Sequence, residues 1–147
     1  MADKKTLRSS EFPRELGRSL TFLHRNRTKF MSEKLKSLGF SGAMYMILLH
    51  VDRFPATSQD NIATHMYIDK CNVTRRTNKL EELGYIRRET DENDRRQKNL
   101  YLTDKGKEIA PKIRKYLREW GESITENFTD NEKDMLLFLL EKMRGKA

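Results

Sequence analysis

The stretch from Asp69 to Thr103, DKCNVTRRTNKLEELGYIRRETDENDRRQKNLYLT, constrains the fold more than any other part of the chain. Asp69 offers a carboxylate to cap the first amides of a helix, and Gly84 supplies the left-handed conformation that ends one. Between them Val73, Thr77 and Leu80 share one face at 3.6 residues per turn, while Cys71, Asn72, Thr74, Arg75, Asn78 and Lys79 fall on the other. Lys70, Arg75, Arg76 and Lys79 are basic and no acid lies among them, so the outward face suits a polyanion. After Gly84 the period changes to two strand-like runs, 85–90 and 97–103, joined by the turn formers Asp91-Glu92-Asn93-Asp94 and then Arg95-Arg96. A capped helix followed by a hairpin with arginines at its tip predicts a winged helix, one element for the major groove of a duplex and the tip for the minor groove or backbone.

The flanking segments are helical. Phe12, Leu16, Leu20, Leu23, Phe30, Leu35 and Leu38 keep a three-four rhythm that predicts a long first helix ending near Gly39, with Arg14, Arg18, Arg25 and Lys29 among the residues on its other faces. Ser41 is a candidate cap for a second helix, Gly42 to about Val51, apolar nearly all round and therefore buried. Ser58 caps a short third helix that pairs with the Asp69 helix as a helix-turn-helix. Thr103 caps a long fifth helix with a stripe of Ile109, Ile113, Tyr116, Leu117, Trp120 and Ile124. Pro111, about two turns in, should bend it or delay its regular start. Thr129 to Glu132 reads as a capping box opening the last helix. Residues 1–10 are polar and read as a frayed end.

The fold expected is mainly α with a small β-hairpin wing. Residues 1–40 and 104–147 form a helical region, 41–103 form the winged helix-turn-helix, and the whole is one structural domain. Both terminal regions carry more apolar surface than a small wing domain covers, and the economical explanation is a homodimer joined through the N- and C-terminal helices.

Composition narrows the partner. The 147 residues hold 30 Lys/Arg against 22 Asp/Glu, a formal charge of +8. The excess is distributed, ten basic against four acidic in residues 1–40 and eleven against eight in 69–107. Such a balance points to a polyanionic partner, which the winged helix makes double-stranded DNA. With 35% charged residues, no apolar run near the ~20 residues of a membrane span, no apolar signal segment and a single cysteine, the expectation is a cytoplasmic protein without a membrane partner. No nucleophile-base-acid set, metal motif or phosphate-binding glycine loop is present, so neither an enzyme nor a cofactor is expected.

Residues 58–106 resemble the MarR family of bacterial transcriptional regulators. The resemblance rests on Asp69-Lys70 with Val73-Thr74-Arg75, Leu80-Glu81-Glu82-Leu83-Gly84, the wing from Asp91 through Asp94-Arg95-Arg96, and the exit Leu102-Thr103-Asp104-Lys105-Gly106. It implies a dimeric winged helix-turn-helix repressor on a pseudo-palindromic operator, released by a small molecule or an oxidant. Two departures stand out. Arg76 and Thr77 occupy positions where the family has apolar residues, and Cys71 replaces a small hydroxyl residue.

Candidate roles follow. Asn72 and Arg75 suit base edges, Arg for guanine and Asn for adenine. Thr74, Asn78 and Lys79 suit phosphates, and Arg76 can lay its stem on the core and its guanidinium on the backbone. At the wing Asp94 is placed to hold the Arg96 guanidinium toward the minor groove, and Arg95 to meet a phosphate. Cys71, in the first turn beside Lys70, is a candidate redox residue, although a lone cysteine is more often merely tolerated. The resemblance places a small-molecule effector in a crevice near the first, second and fifth helices, where His24, Tyr45, His50, Tyr116 and Trp120 are available; aromatic residues on such helices are more often plain core. The alternative function class is an architectural or non-specific nucleic-acid-binding protein, which the same charge would serve.

Overall fold

The computed structural model describes residues 11–145; the reading of residues 1–10 falls outside that range. Helix α1 (Phe12–Leu35) leads through a short 3-10 turn (Lys36–Leu38) to α2 (Met44–Arg53), then β1 (Thr57–Ser58), α3 (Gln59–Met66) and α4 (Lys70–Glu82). Strands β2 (Ile86–Thr90) and β3 (Lys98–Leu102) follow, and α5 (Asp104–Ile124) and α6 (Asp130–Arg144) close the chain. The strands form one antiparallel sheet in the order β1-β3-β2, with Ile86 opposite Leu102 and Thr57 opposite Leu100.

Local chemistry explains most boundaries. Ser58 accepts the Asn61 amide, Thr103 that of Gly106, and Thr129 and Glu132 complete a reciprocal capping box. At the far end of α4 the Tyr85 amide donates to the Leu80 carbonyl and the Gly84 amide to that of Glu81, both at 2.9 Å, with Gly84 at φ +76°. This is a Schellman closure, and it turns the chain directly into β2.

Two expectations are corrected, and one element is added to them. Helix α2 begins at Met44, not Gly42, because Gly42 sits at φ +53°, outside helical space. Ser41 therefore caps nothing, and its hydroxyl faces the Met44 sulfur at 3.4 Å. Pro111 does not delay α5, which is helical from Asp104; the proline forfeits only the bond its amide would have given the carbonyl one turn back. The third strand, β1, is two residues long and too short for any alternation to reveal. It exists because Ala56, at φ +65°, directs its amide to the Leu100 carbonyl.

The core lies where α2 crosses α4, α5 and the sheet. Met31 and Leu35 enter it from the end of α1, Ile47, Leu48 and Val51 from α2, and Val73, Leu80, Leu100 and Ile113 from the elements around them. Phe40 packs on Tyr85 with ring centroids 4.9 Å apart. The first half of α1 and all of α6 stand away from it. Phe22 is 68% exposed and Leu137 60%, and α6 buries no residue against its own chain.

Candidate nucleic-acid interface

Helix α4 is set on the core by Val73, Thr77 and Leu80, all fully buried. Its start is fixed by Asp69, whose carboxylate accepts the Cys71 amide at 2.7 Å and the Asn72 amide at 3.2 Å. Those amides, Asn72's first, hold the Asp69 carboxyl below the usual carboxylate range. With the inner face committed, Cys71, Thr74, Arg75, Asn78 and Lys79 are exposed, and Asn72 and Arg76 half-buried. All of these except Asn72 border an open groove of about 850 Å³ whose opposite wall is Ser41, Gly42 and Met44. Glu82 closes one end of it, paired with Lys79 at 3.1 Å.

The side chains of this face are already organised. Arg75 donates to the Asn72 amide oxygen at 2.7 Å, and the Asn72 amide nitrogen donates to Asp69 at 3.0 Å. Two residues that sequence reasoning did not single out hold the helix from behind. Arg88 of β2 meets Glu81, donates to Thr77 at 3.1 Å and donates to Asn78 at 2.6 Å. Gln59 of α3 donates to Thr77 at 2.8 Å and accepts from Thr74 at 3.0 Å. Thr77, where the resemblance leads one to expect an apolar residue, is thus a fully buried hydroxyl with all its hydrogen bonds made. An alternating strand pattern hints that Arg88 turns toward α4; nothing in the sequence marks Gln59.

The wing differs from expectation in one detail. Asp94 does not hold the Arg96 guanidinium. Both residues lie in the turn beyond the strands, where the Asp94 carboxylate accepts the Arg96 backbone amide at 2.9 Å. The turn is shaped by Asp91, which accepts the Asn93 and Asp94 amides and the Asn99 side chain; the last of these does most to hold its pKa below the usual carboxylate range. Arg95 and Arg96 are exposed and meet no carboxylate among the described residues.

Of the five residues named for an effector crevice, Tyr45 and His50 share a cleft of about 310 Å³ with Arg27, Arg53, Phe54 and Leu117. Trp120 adjoins it through Arg27, which lies 5.8 Å over the indole, and donates to Asn26 at 2.8 Å. Tyr116 instead sits under Lys34, and His24 is exposed on α1; neither lines the cleft. Burial pushes the Tyr45 phenol up, against the pull of the neighbouring Arg27 charge. Burial lowers the His50 imidazole, with help from the charges of His65 and Arg53. Among the described residues Arg27 Nε and the Tyr45 hydroxyl are the buried side-chain polar atoms without a hydrogen-bond partner. Cys71 is an exposed free thiol.

The MarR family profile matches residues 41–98, the span of this helix-turn-helix and most of the wing. A MarR transcriptional regulator from Methanosarcina mazei Go1 superposes with a TM-score of 0.87 at 28% identity, over 90% of this chain and 96% of that one. Residues 41–98 carry a MarR family domain. Among curated MarR-like relatives, the HTH-type transcriptional regulator BilQ of Clostridioides difficile (strain CD3) is 29% identical over 110 residues, 75% of this chain and 74% of its own length. A mutant MarR from E. coli complexed with operator DNA shares the fold, with a TM-score of 0.78 at 21% identity over 93% of this chain and 99% of that one. A chain that carries this domain in this fold is a transcriptional regulator, not an enzyme. No helix among its described residues is long and apolar enough to cross a membrane.

Proposed function

We propose that this regulator is a cytoplasmic homodimer that binds a pseudo-palindromic operator in double-stranded DNA, represses from it, and lets go when a small molecule or an oxidant acts. The observation that carries this is the outer face of α4, where Arg75, Arg76, Lys79 and Lys70 border an open groove while the opposite face is locked into the core. Arg75 and Asn72 are the base-edge candidates, and Asn78, Lys79, Arg95 and Arg96 the backbone ones. The exposed apolar residues of α1 and α6 are the surface on which two copies meet. Two-fold pairing sets the two α4 helices about one helical turn of DNA apart, roughly 34–36 Å. The E. coli MarR complexed with operator DNA has this fold, which adds support.

The cleft beside Tyr45 and His50 is the place for a small-molecule effector, because the unpartnered Arg27 Nε and Tyr45 hydroxyl gain hydrogen bonds from a polar ligand. Cys71 is the candidate site for an oxidant. Footprinting on DNA flanking the gene, with unrelated duplex as competitor, tests the central claim. A protected two-fold site with about 10³-fold preference or more is expected. Equal affinity for any duplex makes the protein architectural instead.

A further inference from the structure

The direction of one hydroxyl on α4 follows from a chain of hydrogen bonds that starts on the sheet. A guanidinium has donors only. Arg88 Nη2 lies 3.1 Å from Thr77 Oγ1, so the Thr77 oxygen accepts there. The single Thr77 proton goes to the helix carbonyls of Val73 and Thr74, each 3.0 Å away and each able only to accept. What remains on Thr77 is one lone pair, and the Gln59 atom 2.8 Å from it is the donor Nε2. Turning that amide over would bring its oxygen against an oxygen whose proton is already committed. The other half of the same amide is thereby fixed: Gln59 Oε1 faces Thr74 Oγ1 at 3.0 Å, and Thr74 gives its only proton to it. Toward the groove the exposed Thr74 hydroxyl presents lone pairs alone.

We infer that Thr74 is a specificity-determining residue that accepts a hydrogen bond from the exocyclic amine of an adenine or a cytosine. This rests on the proposal that α4 enters the major groove. Phosphate oxygens only accept, so a hydroxyl with no free proton has nothing to offer the backbone, the role its sequence position suggested. In the major groove the base-edge donors are adenine N6 and cytosine N4. Asn78 is polarised the opposite way. Its amide oxygen is taken by Arg88, which leaves the Nδ2 protons for phosphate. Gln59 is the positioning residue that sets the Thr74 proton.

The test selects bound duplexes from a randomised double-stranded library with the full chain and with its Thr74→Val, Thr74→Ser and Gln59→Leu variants, each first checked for a cooperative thermal transition. Thr74→Val should lose roughly five- to tenfold preference for an amine-bearing base at one position of each half-site, the worth of about one hydrogen bond, and Thr74→Ser should restore it. Gln59→Leu frees the Thr74 proton and should admit guanine or thymine at that position, a change of base choice that a structural defect does not produce. Replacing the selected adenine by purine, which lacks the amine, or the selected cytosine by its amine-free analogue should weaken the wild-type protein by the same factor and leave Thr74→Val unchanged. The inference is overturned if Thr74→Val selects the wild-type sequence undiminished, or if it binds every duplex more weakly by one common factor. A wild-type protein that selects no sequence at all overturns the proposed function itself, before any variant is compared.

Discussion

Replacing Gly106 by alanine should destabilise this protein even though it puts the best helix former in place of a poor one. Gly106 lies in the first turn of α5, where a Cβ would stand 2.1 Å from the Tyr85 carbonyl oxygen, more than an ångström short of ordinary contact. That oxygen belongs to backbone and is held by the Thr103 amide at 3.1 Å. Nearby, the Thr103 hydroxyl bonds the Gly84 carbonyl at 2.6 Å and accepts the Gly106 amide at 3.1 Å. The helix therefore has to lift away from the strand junction and strain all three bonds. Overpacking of this kind costs about 1–3 kcal/mol and each weakened hydrogen bond about 1 kcal/mol, against a propensity gain of about 1 kcal/mol. The balance is a loss of about 3–5 kcal/mol, which lowers the thermal midpoint by roughly 10–15 °C in a chain of this size. Gly121→Ala, in the same helix but with nothing within 4 Å of its Cβ, should raise the midpoint instead. Thermal unfolding followed by circular dichroism at one fixed protein concentration reads both. A Gly106→Ala protein that melts at or above the wild-type temperature refutes the packing argument.

Two further outcomes follow from the same geometry. The Asp69 carboxyl is held below its ordinary value by the amides it caps, so its contribution to stability is complete above about pH 4 and is lost as pH falls through the depressed value. Asp69→Asn should flatten the acid side of the melting profile, and an unchanged profile excludes the cap as its source. Arg95→Ala and Arg96→Ala should each reduce the slope of log affinity against log salt by about 0.9 for every phosphate left without its guanidinium; slopes equal to that of the wild-type protein remove the wing from the backbone.

What could be seen in the residues alone was whatever depends on near neighbours in sequence. The caps at Ser58, Asp69, Thr103 and Thr129 and the stop at Gly84 are each settled within five residues, and each forms as expected. The start of α2 is not legible in this way, because a serine in capping position cannot announce that the glycine after it turns left-handed. Thr77 looks like an anomaly on a packing face. Its partners come from 18 residues before it and 11 after it, distances at which no periodicity carries a signal. The effector candidates divide for a similar reason: which side of a long helix meets the cleft is a matter of rotation, which admits Tyr45 and His50 but turns Tyr116 toward Lys34 and leaves His24 on the outside.

The bareness of α6 ties control to cellular supply. Fifteen residues with none buried in their own chain are marginal as an isolated helix in water. Under the pairing proposed above, its shape is therefore lent by a second subunit, and the amount of protein made becomes part of the control. At low dose the segment frays and lone subunits persist, while above a threshold the paired form takes over. Occupancy of DNA would then climb more steeply than the number of molecules.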